Sequence, residues 1–217
     1  MAEEVVLLDI HASMFGMRVR IALAEKGVKY VYKEESIGNK SPLLLKNNPI
    51  HKQTLVLIHN GKPICESLNI VEYIDEFWKD KAPLLPSHPY HRAQARFWAD
   101  FIDKKVQEAG SELWASKVDQ QEKARKELKE RLKQLEEVLG DKPYFGGDSF
   151  GFLNVALIPF HQCFYAYETV GRFKLDCPKL IAWAKRCLQR ESVSTSLASE
   201  KDIYEFILDY RKTHGLD

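Results

Sequence analysis

The sequence has few cysteines, almost no net charge and no long apolar run, and each shortage removes a class of protein. Its 217 residues include four cysteines, and no two form a C-x-x-C pair, so we expect neither a zinc site nor a disulfide framework. The formal net charge of +1 gives no electrostatic reason to expect nucleic acid or an anionic membrane as partner. No apolar run reaches the roughly 18 residues that span a bilayer. Scattered cysteines in apolar segments are typical of reduced thiols in a cytoplasmic protein, and the acidic start Met-Ala-Glu-Glu favours neither a signal nor a transit peptide.

The first third of the chain alternates strand and helix patterns. Over residues 5–78 the predicted order is β-α-β-α-β-β-α, which requires a parallel crossover in its first half and a hairpin in its second. Asn60-Gly61 lies between two short apolar runs and is a strong hairpin signal. A helical pattern from 13 to 26 carries Phe15, Val19, Ala22 and Leu23 on one face. This order is typical of a thioredoxin-like sheet.

The rest of the chain shows only helical periodicity. Three prolines mark residues 81–89 as a linker between predicted domains at 1–80 and 90–217. The fold class is therefore α/β plus all-α. The predicted helices span 90–117, 119–139, an apolar core helix over 152–169, a helix that begins at Cys177-Pro178, and 202–211.

Two predicted strand-to-helix junctions carry polar side chains that suit a small peptide with a thiol. At the second junction, the Glu66 carboxylate can take an ammonium group, while Ser67 and free helix amides take a carboxylate. At the first, Ser13 places an O–H donor where the helix dipole also favours a thiolate over a thiol. Plain N-capping by serine is the alternative at both places. Ser13 is not expected to be a nucleophile, because the chain has no G-x-S-x-G turn.

Six runs distributed over essentially the whole chain resemble one family. They are Ser13 to Gly27, Asn39 to Leu44, Asn60 to Ser67, Phe97 to Phe101, Lys142 to Gly147, and Cys177 to Leu180. These runs are similar to plant tau-class glutathione transferases. The resemblance implies a thioredoxin-like N-terminal domain, a helical C-terminal domain and a cytoplasmic homodimer. It also implies glutathione as co-substrate without a metal, and detoxification by conjugation of the glutathione thiolate to small hydrophobic electrophiles.

The resemblance further implies roles for individual residues. Ser13 would hydrogen-bond the glutathione sulfur, and Lys40 would pair with the glycyl carboxylate. Glu66 and Ser67 would hold the γ-glutamyl end, and Thr54 would bind the cysteinyl backbone through its own N–H and C=O. The acceptor pocket would be lined by His11, Met14, Phe15, Gln107, Ser111, Trp114, Phe160 and Phe164. For Trp114 and the last two phenylalanines, packing in the core explains the residue nearly as well.

The triplet Gln53-Thr54-Leu55 departs from the family, which usually has Lys-Ile-Pro there. Either the peptide bond before Leu55 is cis, or it is trans and a rebuilt loop turns the Thr54 backbone away from glutathione. Gln53 is also expected to be one of the glutathione-binding residues, but in place of a lysine it removes a cation from the side of the site that binds the glycyl carboxylate. We therefore hypothesise a reduced affinity for glutathione.

Two other departures are milder. His11 stands where the family often has tryptophan, and we expect a partly exposed polar residue, with a pH-sensitive acceptor contact as the alternative. Asn154 replaces an aspartate near a helix start, where it can still form a local hydrogen bond. The expected loss of stability is on the order of 1 kcal/mol or less.

Three functions fit these patterns. The favoured one is glutathione S-conjugation, and Ser13 argues against disulfide reduction, because that reaction needs a redox cysteine at this position. The second is a non-catalytic, ligandin-like carrier of hydrophobic metabolites. The third is a glutathione-dependent isomerase or lyase.

Overall fold

The chain folds into two compact units, and the boundary between them falls between Leu84 and Leu85. A computed structural model describes residues 3–81 and 83–216. The residues outside this description are Met1, Ala2, Ala82 and Asp217. The predicted linker 81–89 thus lies partly outside the described residues, as does the start of the predicted N-terminal segment.

The first unit has the predicted order of strands and helices. Its elements are β1 (Val5–Asp9), α1 (Met14–Glu25), β2 (Val31–Glu34), α2 (Pro42–Asn47), β3 (Val56–His59), β4 (Lys62–Cys65) and α3 (Ser67–Phe77). The hairpin between β3 and β4 turns at Asn60 and Gly61, whose φ angles are 49° and 77°. Two consecutive positive φ angles are what a tight hairpin turn requires, and asparagine followed by glycine adopts them readily.

The register of the sheet brings one end of each of the four strands to the same edge. The strand order is β2-β1-β3-β4; β1 is parallel to β2 and antiparallel to β3, and β3 is antiparallel to β4. Asp9 pairs with Glu34, Leu8 pairs with Val56, and Val56 pairs with Cys65. The carboxyl ends of β1, β2 and β4 therefore meet the amino end of β3. The loops attached to these four strand ends therefore lie next to one another.

The faces of the sheet are covered by apolar side chains. Val6, Leu8, Val56 and Ile58 form a buried cluster with Leu44 of α2. Helix α1 packs against α3. The burial of α1 is not confined to the predicted face, because every residue from 16 to 23 is buried. Charged side chains within this stretch must therefore find partners inside the protein.

The second unit is helical, as predicted. Its elements are α4 (Pro89–Phe101), a π-helical segment (Ile102–Val106), α5 (Gln107–Trp114), a 3-10 turn (Val118–Gln120), α6 (Gln121–Leu139), α7 (Phe152–His161), α8 (Phe164–Gly171), α9 (Pro178–Cys187), α10 (Glu191–Ser194) and α11 (Glu200–Thr213). The single helix predicted over 90–117 is interrupted by the π-helical segment, and the short α10 was not predicted. Within the described ranges, every helix is too short or too polar to cross a membrane.

The prediction of a single apolar helix over 152–169 is wrong, because the structure has two helices there. The N–H groups of Gln162 and Cys163 donate to the carbonyls of Pro159 and Phe160, at 3.2 and 3.1 Å. These bonds span three residues rather than four, so the last turn of α7 tightens and the helix ends. Apolar composition alone carries no signal for such a change of hydrogen bonding.

Asn154 lies in the core of the second unit, and its hydrogen bonds reach other segments of the chain rather than the local backbone that the sequence led us to expect. The side chain is fully buried. Its Oδ1 accepts from the Phe145 N–H at 3.2 Å and from the Trp183 Nε1–H at 2.9 Å. One amide oxygen thus satisfies two buried donors that belong to different segments of the chain.

We predict that Asn154→Ala destabilises the protein by about 3 kcal/mol, because each buried donor left without a partner costs about 1–3 kcal/mol. Denaturant unfolding followed by tryptophan fluorescence and circular dichroism measures the change. Asn69→Ala is the control, since Asn69 is exposed and donates to a single carbonyl. Equal effects of the two substitutions would contradict this role for Asn154.

Candidate functional site

A cleft of about 270 Å³ opens at the edge of the sheet where the four strand ends meet. It brings together Ser13, Lys40, Gln53 and Thr54, which are four of the predicted glutathione-binding residues, and Phe15, which was predicted to line the acceptor pocket. The other lining residues are Ile10, Ser36, Ile37 and Leu44. Of the described residues that line this cleft, Lys40 alone carries a charge.

Ser13 is the N-cap of α1, as the simpler interpretation predicted. Its Oγ accepts from the Gly16 N–H at 3.3 Å, and its own N–H donates to the Ile10 carbonyl at 2.8 Å. The cap uses the oxygen as an acceptor, so the hydroxyl hydrogen can still donate into the cleft. The N-cap role and the role of thiolate donor are therefore compatible in one side chain.

The segment before β3 presents Thr54 to the cleft. The peptide bond between Thr54 and Leu55 is cis, so the alternative with a trans bond and a rebuilt loop is wrong. The buried Asn48 side chain donates through Nδ2 to the Gln53 carbonyl at 2.9 Å. The Lys52 N–H donates to the Asn48 carbonyl, also at 2.9 Å. Asn48 thus ties this segment to the end of α2.

Glu66 and Ser67 lie beside the cleft rather than in its lining. Both follow Cys65 at the end of β4, and Thr54 lies two residues before Val56, the strand partner of Cys65 at the same edge of the sheet. Glu66 is exposed and holds a φ of 70°, a conformation that non-glycine residues retain mainly at functional sites. The alternative in which Ser67 only caps α3 is wrong, because Ser67 is the first helical residue and Glu66 occupies the N-cap position.

Arg18 is a residue of this region that the sequence analysis did not single out. It is fully buried in α1, and its Nη1 donates to the Ser67 Oγ at 3.1 Å. The bond leaves the Ser67 hydroxyl hydrogen able to donate to a ligand. The signal was present in the sequence, since Arg18 and Arg20 interrupt an otherwise apolar helix. A charged residue in such a helix predicts an internal partner.

A second buried arginine holds the loop between β1 and α1. Arg20 donates through Nη2 to the His11 carbonyl at 2.7 Å, and its Nη1 lies 3.7 Å from the Asp9 Oδ2. The other Asp9 oxygen accepts from the Ile10 N–H at 2.7 Å. A Cβ at Gly16 would lie 1.8 Å from that oxygen, so only glycine fits there. The Asp9 carboxyl group is thus pressed against the first turn of α1.

Burial dominates the titration of Asp9. It raises the pKa of this carboxyl to about 7, against the lowering effect of Arg20 and of the Ile10 N–H. Glu34 raises it further, and the Glu34 carboxylate accepts from the His11 N–H at 3.0 Å. Burial and a hydrogen bond to Glu34 also raise the pKa of Tyr32. The His11 ring itself is exposed, as expected.

The other predicted acceptor residues are distributed over both units. Met14 is half-buried in the first turn of α1. In the second unit, the Gln107 side chain donates to the Ser111 Oγ at 2.9 Å on α5. The Trp114 ring meets the edge of Tyr210 at 4.9 Å between ring centroids.

The two phenylalanines predicted to line the acceptor pocket from the second unit differ in burial. Phe160 is completely buried in α7, which favours the core-packing interpretation for that residue. Phe164 is half-buried and contacts the ring of His161, with the ring centroids 5.1 Å apart. A partly exposed aromatic ring can still contact a ligand.

Residues 3–81 and 83–216 contain no group of three or more His, Cys, Asp or Glu side chains placed to hold a metal ion.

Two family profiles match the chain. The profile described as "Glutathione S-transferase, N-terminal domain" matches residues 3–76, and "Glutathione S-transferase, C-terminal domain" matches residues 90–191. A relative from Nicotiana tabacum, "Probable glutathione S-transferase parC", is 63% identical over 99% of both chains. "Glutathione S-transferase U25" of Arabidopsis thaliana is 56% identical over 100% of this chain and 99% of its own.

Two solved structures are similar over nearly their full lengths. A rice glutathione S-transferase crystallised in complex with glutathione has a TM-score of 0.93 and 44% identity, over 98% of each chain. A tau-class glutathione S-transferase from mango has a TM-score of 0.90 and 38% identity, over 95% of this chain and 98% of its own.

Asp9 should make the stability depend on pH. Its carboxyl changes from an unfolded value near 3.8 to about 7 in the folded protein, so its contribution is complete below the first value and is lost as pH rises through the second. Asp9→Asn has no proton to lose. Relative to the parent, its free energy of unfolding should therefore rise by about 1.4 kcal/mol per pH unit across this window. Denaturant titrations between pH 5 and 8 measure the difference.

Asp148→Asn is the control for this prediction, because it removes an exposed carboxyl of the second unit. It should follow the parent across the range. Parallel curves for Asp9→Asn and the parent would show that Asp9 does not titrate as its burial indicates.

Proposed function

The chain belongs to the tau class of the glutathione S-transferase family of plants, and from that premise we propose how its first unit binds and ionises glutathione. It is a glutathione transferase, which conjugates the thiol of glutathione to an electrophilic substrate. The curated relatives reported above carry the name of transferase, and nothing favours the carrier.

The proposed binding mode uses the edge of the sheet from end to end. The Lys40 ammonium takes the glycyl carboxylate, and the Thr54 N–H and C=O pair with the cysteinyl backbone as an added strand would. Glu66 takes the γ-glutamyl ammonium, and Ser67 takes its carboxylate. The support is spatial, because Ser13, Lys40 and Thr54 share one cleft, and Glu66 and Ser67 follow the end of β4 at the same edge of the sheet.

The observation that carries the mechanism is the Ser13 hydroxyl at the N-terminus of α1, inside the cleft. The hydroxyl donates to the glutathione sulfur, and the partial positive charge of the helix end acts in the same direction. Both effects stabilise the thiolate, which is the nucleophile. The thiol proton leaves to solvent, and the sulfur electron pair forms the new bond to the electrophilic carbon. In a substitution the bond from that carbon to its leaving group breaks and the group departs with its electron pair; in an addition the π electron pair moves to the adjacent atom, which takes a proton from solvent.

The charge of the cleft supports a reduced affinity for glutathione. Gln53 contributes no cation to the lining, so the glycyl carboxylate meets the single charge of Lys40. That ammonium has neither an ion pair nor a hydrogen bond with another residue in the part of the chain that the structure describes. Lys40 is therefore available to a ligand carboxylate.

We further propose a cytoplasmic homodimer. All four cysteines carry free thiols, which suits a reducing compartment. On α4 the aromatic rings of Tyr90 and Phe97 are 62% and 58% exposed, and they lie seven residues apart on one face of the helix. Exposed apolar groups on one face are typical of an interface, and a twofold dimer buries them symmetrically.

Ser13→Ala should lower kcat/KM by roughly ten- to a hundredfold and raise the pKa of bound glutathione by about one unit, because the donor to sulfur is lost. The pH dependence of kcat/KM and the ultraviolet absorbance of the bound thiolate measure the two effects. Ser13→Thr keeps the hydroxyl and should retain most activity. Ser36→Ala removes another hydroxyl of the same cleft and should change neither quantity. An unchanged pH–rate profile in Ser13→Ala would remove Ser13 from the mechanism.

The dimer proposal is tested by light scattering after size exclusion. The parent should elute with twice the chain mass of 25.1 kDa, and Phe97→Glu should elute as the single chain, because a charge cannot be buried in an apolar interface. Leu208→Glu changes an exposed apolar residue of α11 and should leave the mass unchanged. A parent that elutes at the mass of one chain sinks the proposal.

A further inference from the structure

Glu35 is a buried carboxylate at the edge of the sheet, and the mechanism above does not use it. It directly follows β2 and is 6% exposed. Its own N–H donates to the Asp9 carbonyl at 2.7 Å, which continues the pairing of β1 with β2. Backbone pairing and burial thus fix the place of this carboxylate.

Both oxygens of Glu35 bind the same residue. Oε2 accepts from the Ser41 N–H at 3.1 Å, and Oε1 accepts from the Ser41 hydroxyl. The Ser41 Oγ in turn accepts from the Leu44 N–H at 3.0 Å, which caps α2. We call this arrangement, from Glu35 to Ser41 and Leu44, the Glu35 clamp.

The Glu35 clamp closes the loop 36–40, and this loop forms one side of the cleft. Ser36, Ile37 and Lys40 all line it. Lys40 immediately precedes Ser41, and the Ser41 N–H belongs to the peptide group that joins the two residues. The bond from this N–H to Glu35 therefore also holds the backbone of Lys40. Hydrogen bonds to a carboxylate are stronger than those between neutral groups. Two of them can therefore hold a loop that has no regular structure of its own.

The same arrangement occurs in α11, but there the helix supplies its own carboxylate. Ser199 donates through N–H and Oγ to Asp202 at 3.2 and 2.6 Å, and the Asp202 N–H donates back to Ser199 Oγ at 3.1 Å. Asp202 is the third residue of α11, as in an ordinary capping box. In α2 the third residue is Leu44, which is fully buried in the core of the first unit. The carboxylate therefore has to come from elsewhere, and Glu35 provides it from the preceding strand.

We propose that Glu35 is a positioning residue for glutathione: by clamping Ser41, it holds Lys40 at the cleft, where the ammonium meets the glycyl carboxylate. This inference rests on the role of Lys40 in the proposed function. Glu35 itself does not touch the ligand. Holding the loop before binding removes part of the ordering cost that binding would otherwise include. Its loss should therefore weaken glutathione binding and leave the thiol chemistry unchanged.

Isothermal titration of glutathione into four proteins tests the inference: the parent, Lys40→Met, Glu35→Ala and the double variant. We expect Glu35→Ala to raise the Kd for glutathione about five- to tenfold. On the Lys40→Met background the same substitution should change Kd by less than about twofold, because residues that act through one group are not additive. The kcat at saturating glutathione should stay at the parent value in Glu35→Ala.

Two further variants separate positioning from a general loss of stability. Glu35→Gln should recover most of the affinity, since its amide can still accept from the Ser41 N–H and donate to the Ser41 Oγ. Asp202→Ala removes the equivalent contact from α11 and should leave Kd unchanged. Should Glu35→Ala fail to fold, Ser41→Ala replaces it in the four-protein comparison, and it loses the hydroxyl bond to Glu35 together with the cap on the Leu44 N–H.

The outcomes distinguish the two proposals. If Lys40→Met does not weaken binding, the role of Lys40 is wrong and the inference about Glu35 falls with it. If Lys40→Met weakens binding and Glu35→Ala does not, only the inference about Glu35 is overturned. Equal effects of Glu35→Ala on both backgrounds, or a reduced kcat at saturation, also overturn it.

Discussion

The register of a four-stranded sheet is the constraint on which the site depends. Leu8 lies opposite Val56, and Val56 lies opposite Cys65, so β1 and β4 end at the edge of the sheet where β3 begins. The parallel strand β2 also ends at this edge. Strand pairing has a period of two, so a slip by one residue would turn the buried side chains to the opposite face. The buried cluster around Val6, Leu8 and Leu44 packs in this register. Apolar packing therefore decides where the polar groups of the cleft lie.

Buried charges of the first unit are placed around the loops of that edge. Arg18 holds Ser67, Arg20 holds the carbonyl of His11, and Glu35 holds Ser41. Burying a charge is costly unless it is paired and hydrogen-bonded, so such groups are weak contributors to stability. Buried charged side chains are well suited to fixing loops. If the loop moved away, the charge and its partner would both lose a hydrogen bond where little water can replace it. One of these three contacts, from Arg18 to Ser67, joins parts of the chain that are distant in sequence, while the other two close short segments.

Serines at helix starts have three different roles in this molecule. Ser13 caps α1 and keeps its hydroxyl hydrogen for the cleft, while Ser41 caps α2 and also donates to Glu35. Ser67 caps nothing and accepts from Arg18. Position relative to a helix therefore predicts that a serine will be useful but not how it is used. The use depends on which group the tertiary fold places within reach of the oxygen.

The sequence by itself determined the order of elements, the hairpin at Asn60-Gly61, the helical second unit and most residues of the cleft. These features rest on local patterns, namely periodicity, turn residues and runs that resemble a family, and each is readable within a short window. It did not reveal the division of the segment 152–169 into two helices, because both consist of apolar residues. Nor did it identify Asp9, Arg18, Arg20 and Glu35 as parts of the site. Their partners are brought within reach by the fold of the chain, and a hydrogen bond between two particular side chains leaves no periodic pattern in the sequence around either. Only the folded chain decides which buried charge meets which loop, since the cost of burial is avoided only where the geometry supplies a partner.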